Sequence, residues 1–100
     1  MSVPPGRTPI VVFSTEALDD IKKIIEWGMN KGYGDPVSFT DGLMDTITDT
    51  LTTFPGAARK GRVPGTFELV LAQSKHIAVL IQTPTGCEVL RVLHGSMQFP

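Results

Sequence analysis

The sequence predicts an α+β fold in which an N-terminal strand and a helical hairpin pack on one face of an antiparallel β-sheet, in the order β-α-α-β-β-β. Three observations lead to it: residues 10–13 are a short β-branched and aromatic run, residues 15–53 carry apolar positions at helical spacing, and residues 66–93 are strand-like segments joined by short turns. One hundred residues support one core, so residues 10–100 are expected to form a single domain. Residues 1–9, with three of the eight prolines, are expected to be an irregular lead-in.

The first helix is predicted to follow the strand over residues 10–13 directly. Ser14 and Thr15 supply an N-cap, and Gly32 and Gly34 are expected to end the helix. Its apolar stripe has spacings of three and four residues and consists of Leu18, Ile21, Ile24, Ile25 and Met29.

A second helix is predicted to begin at Asp35 and Pro36, which suit the N-cap and the first helical position. Its apolar residues recur every four positions, at Phe39, Leu43, Ile47 and Leu51, with Met44 alongside. The short link between the two stripes predicts an αα-hairpin, with its acidic residues largely on outward positions.

The remainder is predicted to be a loop and three strands. Residues 56–65 are rich in glycine and proline and form the loop, while residues 66–71 alternate weakly. Residues 76–82 contain an uninterrupted apolar run, which is typical of a central strand buried on both faces. A turn at residues 83–86 leads into the last strand at residues 87–93, so the short links predict an antiparallel meander.

Charge divides the chain into two parts of opposite sign. Residues 14–53 have eight acids and three bases, a net charge of −5. Residues 54–100 have two acids and five bases, a net charge of +3. Two helices cover one sheet face only, so the other face is predicted to be partly open and basic, and to be where function lies.

The composition also excludes several classes of protein. The N-terminus lacks the long apolar stretch of a signal peptide, and no apolar run reaches the roughly 20 residues that cross a bilayer. The single cysteine, Cys87, permits no internal disulfide and is expected to be a small core residue. Phosphate-loop, metalloprotease and hydrolase motifs are absent. A cytoplasmic protein without metal or cofactor is therefore expected.

Two groups of side chains suggest binding or chemistry. Arg59, Lys60 and Arg62 lie within four positions of a glycine-flanked loop, where arginine forks match phosphate oxygens. Arg91 and His94 lie at the end of the last strand, and a histidine there can transfer a proton near neutral pH.

Each group also has a purely structural explanation. The basic loop can be solvated and without a ligand. Arg91 can pair across strands with Glu68 or Glu88, and His94 can hydrogen-bond a turn.

The second half of the chain resembles the RelE/ParE toxin superfamily, and ParE-like members most of all. Weaker similarity extends upstream to residues 14–21 and to Phe54 and Pro55. The segments that carry the resemblance are Gly61–Thr66, Glu68–Val70, Glu88–Gly95 and Gln98–Pro100.

The resemblance implies a toxin of a bacterial type II toxin–antitoxin module, bound by a cognate antitoxin in a hetero-oligomer. ParE-like relatives are associated with inhibition of DNA gyrase, whereas other relatives cut mRNA in the ribosome. Family members often have arginine at Phe67, tyrosine at His76, and Tyr-Arg at Leu80 and Ile81. Because these replacements remove cations and a proton-transfer group, binding to a protein target is preferred over RNA cleavage.

Three functions therefore remain open. The preferred function is a gyrase-directed toxin, and the alternatives are a ribosome-dependent mRNA endoribonuclease and a non-toxic relative that only binds its partner. The ribonuclease would use Arg62, Arg91 and His94 as catalytic residues, with Arg59 and Lys60 on phosphate and His76 as another acid–base candidate. The predicted target-binding residues are Arg59, Lys60, Arg62, Arg91, His94, Met97 and Phe99.

Overall fold

The computed structural model describes residues 8–95, which form two helices and a five-stranded sheet. The helices are α1 (Thr15–Lys31) and α2 (Pro36–Thr53), followed by a short 3-10 turn at Pro55–Ala57. The strands are β1 (Ile10–Phe13), β2 (Arg59–Lys60), β3 (Phe67–Leu71), β4 (His76–Thr83) and β5 (Gly86–His94). The predicted α+β fold with a helical hairpin is confirmed, while residues 1–7 of the predicted lead-in lie outside the described residues.

The sheet has the strand order β1-β5-β4-β3-β2 and is mixed. Strand β1 runs parallel to β5, whereas the other neighbouring pairs are antiparallel. The predicted antiparallel meander of the last three strands is confirmed, and β1 joins it as a parallel edge strand beside β5. The predicted loop at residues 56–65 was partly wrong, since β2 lies within it and pairs with β3.

The caps of both helices follow the predicted chemistry. The Ser14 hydroxyl accepts a hydrogen bond from the Ala17 N–H at 3.0 Å and donates one to the Leu90 carbonyl at 2.9 Å. Gly32 ends α1 in the left-handed region, at a φ of 70° that favours glycine. Asp35 accepts from the Ser38 N–H at 3.1 Å and thereby caps α2.

Most residues of the two predicted stripes lie in the core or pack against it, and three of them are exposed instead. In α1, Leu18 and Met29 are exposed, while Asp20 is buried despite the prediction that the acids face outward. In α2, Thr40 is buried and Phe39 is 45% exposed. A spacing of four residues advances about 40° per step on a helix of 3.6 residues per turn, so a stripe that starts at Phe39 cannot keep all its members on the core.

The main core lies between the helices and the sheet. It includes Leu43, Ile47 and Leu51 of α2, packed with Ala78, Leu80, Val89 and Val92 of the central strands. Cys87 also belongs to this core, as predicted, and burial raises the pKa of its thiol. Phe67 and Leu80 pair across β3 and β4 on the same side, so both residues contribute to packing against the helices.

The face opposite the helices is only partly open. Ile77, Val79 and Leu93 form a second buried cluster there, as fits the prediction of a face that is open only in part. Glu68 lies beside Val79 in the sheet and accepts a hydrogen bond from the Arg62 N–H. This contact keeps the loop formed by residues 61–66 close to the same face of the sheet.

Candidate functional site

The predicted basic loop is organised around one buried carboxylate. Glu68 is 1% exposed and receives Arg59 Nη2 at 3.3 Å, Arg62 Nε at 3.2 Å and the Arg62 N–H at 3.0 Å. The hydrogen bond from the Arg62 backbone, aided by both guanidinium groups, lowers the pKa of Glu68. The carboxylate therefore stays ionised at neutral pH and fixes the position of both arginines.

The same contacts leave much of each guanidinium facing water. The side chains of Arg59 and Arg62 remain 62% and 48% exposed, and Lys60 between them is also exposed. These three residues, named here the basic edge, are three cations at the β2 side of the sheet. One negative charge is buried beneath them, so the cluster presents a fixed positive surface.

Arg91 belongs to a separate ion pair at the α1–β5 junction. Its Nε and Nη2 atoms donate to the two carboxylate oxygens of Asp20 at 2.7 and 3.0 Å. Asp20 also accepts the Val92 N–H at 3.0 Å. The strand register skips Leu90 at this point, which gives β5 a bulge. Arg91 is thus paired as the structural explanation expected, although its partner is on a helix rather than across strands.

His94 lies beside His76 at the far end of the sheet. Their ring centroids are 5.4 Å apart, and the Phe39 ring lies 6.0 Å from His76. His94 is exposed, whereas His76 is 8% exposed and its Nδ1 atom has no hydrogen-bond partner among the described residues.

These rings line a groove with a volume of about 820 Å³. The groove lies between the helical hairpin and the edge of the sheet where β4 begins and β5 ends. Trp27 and Tyr33 also line the groove and are 54% and 60% exposed. Their rings are in edge-to-face contact, with centroids 5.3 Å apart. Asp35 and Lys23 also line it. The name aromatic groove refers below to the pocket defined by Trp27, Tyr33, Phe39, His76 and His94.

The structure brings some predicted site residues together and separates others. Arg59 and Arg62 share Glu68 as their partner. Arg59 and Arg91 are separated by three strand spacings, through the paired positions Glu68 and Val79, which is about 14 Å at the usual strand spacing. His94 lies at the end of β5, away from the basic edge. Met97 and Phe99 fall outside the described residues.

Sequence reasoning missed the aromatic groove as a site. The four-residue spacing predicts Phe39 to be in the core stripe, and no sequence pattern assigns a role to Trp27 or Tyr33. A usable signal was present, since these aromatics flank the glycine-containing link that brings the ends of two helices together. Aromatic side chains left exposed around such a link are typical of a binding surface.

We expect the fold to lose stability as the pH falls below the ordinary histidine pKa. Burial of the ring, and to a smaller extent the neighbouring His94, lower the pKa of His76 below 6.5. The unfolded chain then takes up a proton more readily than the folded one, so the stability present above pH 6.5 is lost as the pH falls toward the folded-state pKa. Thermal unfolding at pH 8 and pH 5 measures the loss, which should be smaller in His76→Phe. An equal loss in both proteins would contradict the assignment.

Residues 8–95 provide neither a metal-binding cluster nor a helix that could span a membrane. No three histidine, cysteine, aspartate or glutamate side chains in this range are grouped so that they could hold a metal ion. Neither described helix is long and apolar enough to cross a membrane.

Comparison with known sequences identifies the relatives of this chain. A family model described as the ParE toxin of the type II toxin-antitoxin system parDE matches residues 11–99. A curated relative from Sinorhizobium fredii, named "Putative toxin Y4kP", is 32% identical over 83 residues, which cover 83% of this chain and 81% of that protein.

Two solved structures share the fold. The chromosomal ParDE system from P. aeruginosa aligns with a TM-score of 0.74 and 17% identity, over 87% of this chain and 96% of that chain. The RelBE2 toxin-antitoxin complex from Mycobacterium tuberculosis aligns with a TM-score of 0.67 and 19% identity, over 89% of this chain and 93% of that chain. The fold agrees with the sequence match, and the chain belongs to the ParE toxin family of type II toxin–antitoxin systems, within the RelE/ParE superfamily.

Proposed function

We propose that this toxin is held inactive by a cognate antitoxin and acts in the cytoplasm by binding a protein target, DNA gyrase, rather than by cutting RNA. The observation that carries the proposal is the pairing of the candidate catalytic arginines with nearly buried carboxylates. Arg62 is bound to Glu68 and Arg91 to Asp20. Each guanidinium is therefore held in a fixed position by a carboxylate that offsets part of its charge.

RNA cleavage would need a different arrangement. A cation must stabilise the charge that develops on the phosphate, and a proton acceptor must lie within about 3 Å of the attacking hydroxyl. Arg62 is held beside β3, while His94 is on β5 beyond the intervening β4. Phe67 and Leu80, where relatives often carry polar groups, pack in the core. The described residues thus favour binding over catalysis.

The basic edge is the surface we assign to the target. Glu68 fixes Arg59 and Arg62 without removing them from solvent, and the exposed Lys60 follows Arg59 in β2. Preorganised charges of this kind attract an acidic surface and fix the orientation of the complex. Met97 and Phe99, outside the described residues, remain predicted apolar contacts to the same target.

Controlled expression in a bacterial host without the antitoxin tests the function. Growth, plasmid supercoiling and mRNA integrity are followed in the same cultures. We expect growth arrest with altered supercoiling and intact transcripts, and restored growth when a cognate antitoxin is expressed as well. Transcripts cut at ribosome-occupied codons would instead identify a ribonuclease. Normal growth of cells that contain soluble protein would exclude toxicity.

A matched pair of variants tests the surface. Lys60→Glu reverses a charge on the basic edge, and Lys22→Glu makes the same change on the exposed side of α1. We expect Lys60→Glu to weaken binding to purified gyrase about tenfold and to relieve growth arrest, while Lys22→Glu has little effect. Equal effects of the two variants would contradict the assignment.

A further inference from the structure

The aromatic groove has the size and the apolar lining of a site for a small molecule. Its volume of about 820 Å³ falls within the range of about 300–1,000 Å³ that such sites occupy. The rings of Trp27, Tyr33 and Phe39 line it and are each about half exposed. Sites for small molecules are lined mainly by apolar and aromatic side chains, with a few polar groups that fix the orientation of the ligand.

A polar group of this kind lies among the rings. Nδ1 of His76 is buried, and no described residue hydrogen-bonds to it. The residue is only 8% exposed, and the rings of Phe39 and His94 lie 6.0 and 5.4 Å from its own. Both neighbours are exposed side chains, whose rotation opens a path between Nδ1 and the groove. Because buried polar atoms almost always have a hydrogen-bond partner, this nitrogen marks the place where a ligand would be held.

The charges around the groove favour a neutral ligand. Burial lowers the pKa of His76, so its imidazole is uncharged near pH 7. Asp20 lines the groove but is paired with Arg91. The other two charged residues of the lining, Lys23 and Asp35, have opposite signs. A charged ligand would therefore lose hydration without meeting an excess of the opposite charge.

The imidazole also determines which polar group the ligand must carry. A neutral imidazole has one donor nitrogen and one acceptor nitrogen. With the proton on Nε2, Nδ1 is the acceptor and needs an N–H donor from the ligand. The surrounding aromatic side chains favour a flat ring system, which can stack on their faces or meet them edge to face.

We infer that the aromatic groove is a binding site for a small, neutral, planar heteroaromatic molecule whose N–H group donates a hydrogen bond to Nδ1 of His76. This ligand is distinct from the target and from the antitoxin of the proposed function. His76 determines its specificity, since a flat molecule without a donor would leave Nδ1 buried and unsatisfied.

Indole and N-methylindole are the probes that test this site, because they share a planar ring system and differ in the N–H donor. Trp27 is the single tryptophan of the chain, so the proton–nitrogen NMR spectrum of the isotope-labelled toxin has one indole N–H signal, which reports on the groove. We expect unlabelled indole to shift this signal with a Kd of about 1 mM. N-methylindole should bind about tenfold more weakly, which corresponds to ~1.4 kcal/mol for one lost hydrogen bond.

Variants of His76 separate the hydrogen bond from a role in the fold. His76→Phe keeps a ring but removes the acceptor, so we expect it to bind the two probes equally well. His76→Asn places an amide oxygen near the position of Nδ1 and should retain a preference for indole of at least about threefold. Met29→Ala truncates an exposed residue of α1 outside the groove and should keep the full preference. A ratio of two affinities within one variant is not changed by a loss of stability alone.

Several results would overturn the inference. They are the absence of any shift with millimolar indole, equal affinities of the wild-type toxin for the two probes, and an unchanged preference in His76→Phe. A nitrogen NMR spectrum that places the proton of the neutral His76 ring on Nδ1 would do the same. A Trp27 signal that moves with toxin concentration alone would identify a second copy of the chain as the occupant instead.

Discussion

Replacing Asp20 by alanine should lower the free energy of unfolding by about 3 kcal/mol, because it breaks a buried charged network. The carboxylate accepts two hydrogen bonds from Arg91 and one from the Val92 N–H. Without it, the guanidinium loses its partner, and the N–H in the buried strand has nothing to bond. Urea denaturation measures the change.

The adjacent acid provides the control for this prediction. Asp19 has the same side chain and lies one position away on α1, but it is exposed. Asp19→Ala should therefore change the free energy of unfolding by no more than about 0.5 kcal/mol. Similar midpoints for the two variants would show that the Asp20 contacts contribute little to stability.

The second large effect is expected at Gly86, where β1 and β5 come into close contact. A Cβ atom at this position would collide with the carbonyl oxygen of Ile10. Gly86→Ala thus forces the backbone of β1 away from β5, since a carbonyl cannot rotate aside as a side chain can. We expect a loss of about 3 kcal/mol in the free energy of unfolding.

Gly42→Ala is the matched control for Gly86→Ala. Gly42 lies within α2, and a Cβ atom there would have no neighbour within 4 Å. Alanine should stabilise the helix at this position by up to about 1 kcal/mol. The two alanine substitutions should therefore shift the thermal unfolding midpoint in opposite directions, and a shift in the same direction would contradict the tight β1–β5 contact.

The local features of the fold were predictable because they depend on neighbouring residues. Ser14, Gly32 and Asp35 cap the helices through contacts within a few positions, and such contacts can be recognised in the sequence. The parallel pairing of β1 with β5 was not predictable in this way, because it depends on the position of residues 86–89, which are distant in the sequence. Pairing between strands so far apart in sequence leaves no periodic signal in either of them.

The candidate site shows the same difference between features that depend on neighbouring residues and features that depend on distant ones. The type and spacing of Arg59, Arg62 and Arg91 mark them in the sequence as candidate binding residues, but nothing in the sequence marks the carboxylates that hold them. Asp20 is 71 positions from Arg91, and on the helix it looked like one more exposed acid. The aromatic groove was hidden for a related reason, because a four-residue spacing placed Phe39 in the core.

The contacts between the two ends of the chain determine when this toxin can fold during its synthesis. Strand β1 pairs with residues 86–89, and Ser14 bonds to a carbonyl 76 positions later. Such distant contacts close late and slow the folding of a small domain. A ribosome that has made only the first half of the chain therefore carries a polypeptide whose first strand has no partner. The finished fold, and with it the basic edge and the aromatic groove, forms only after nearly all of the chain has been synthesised.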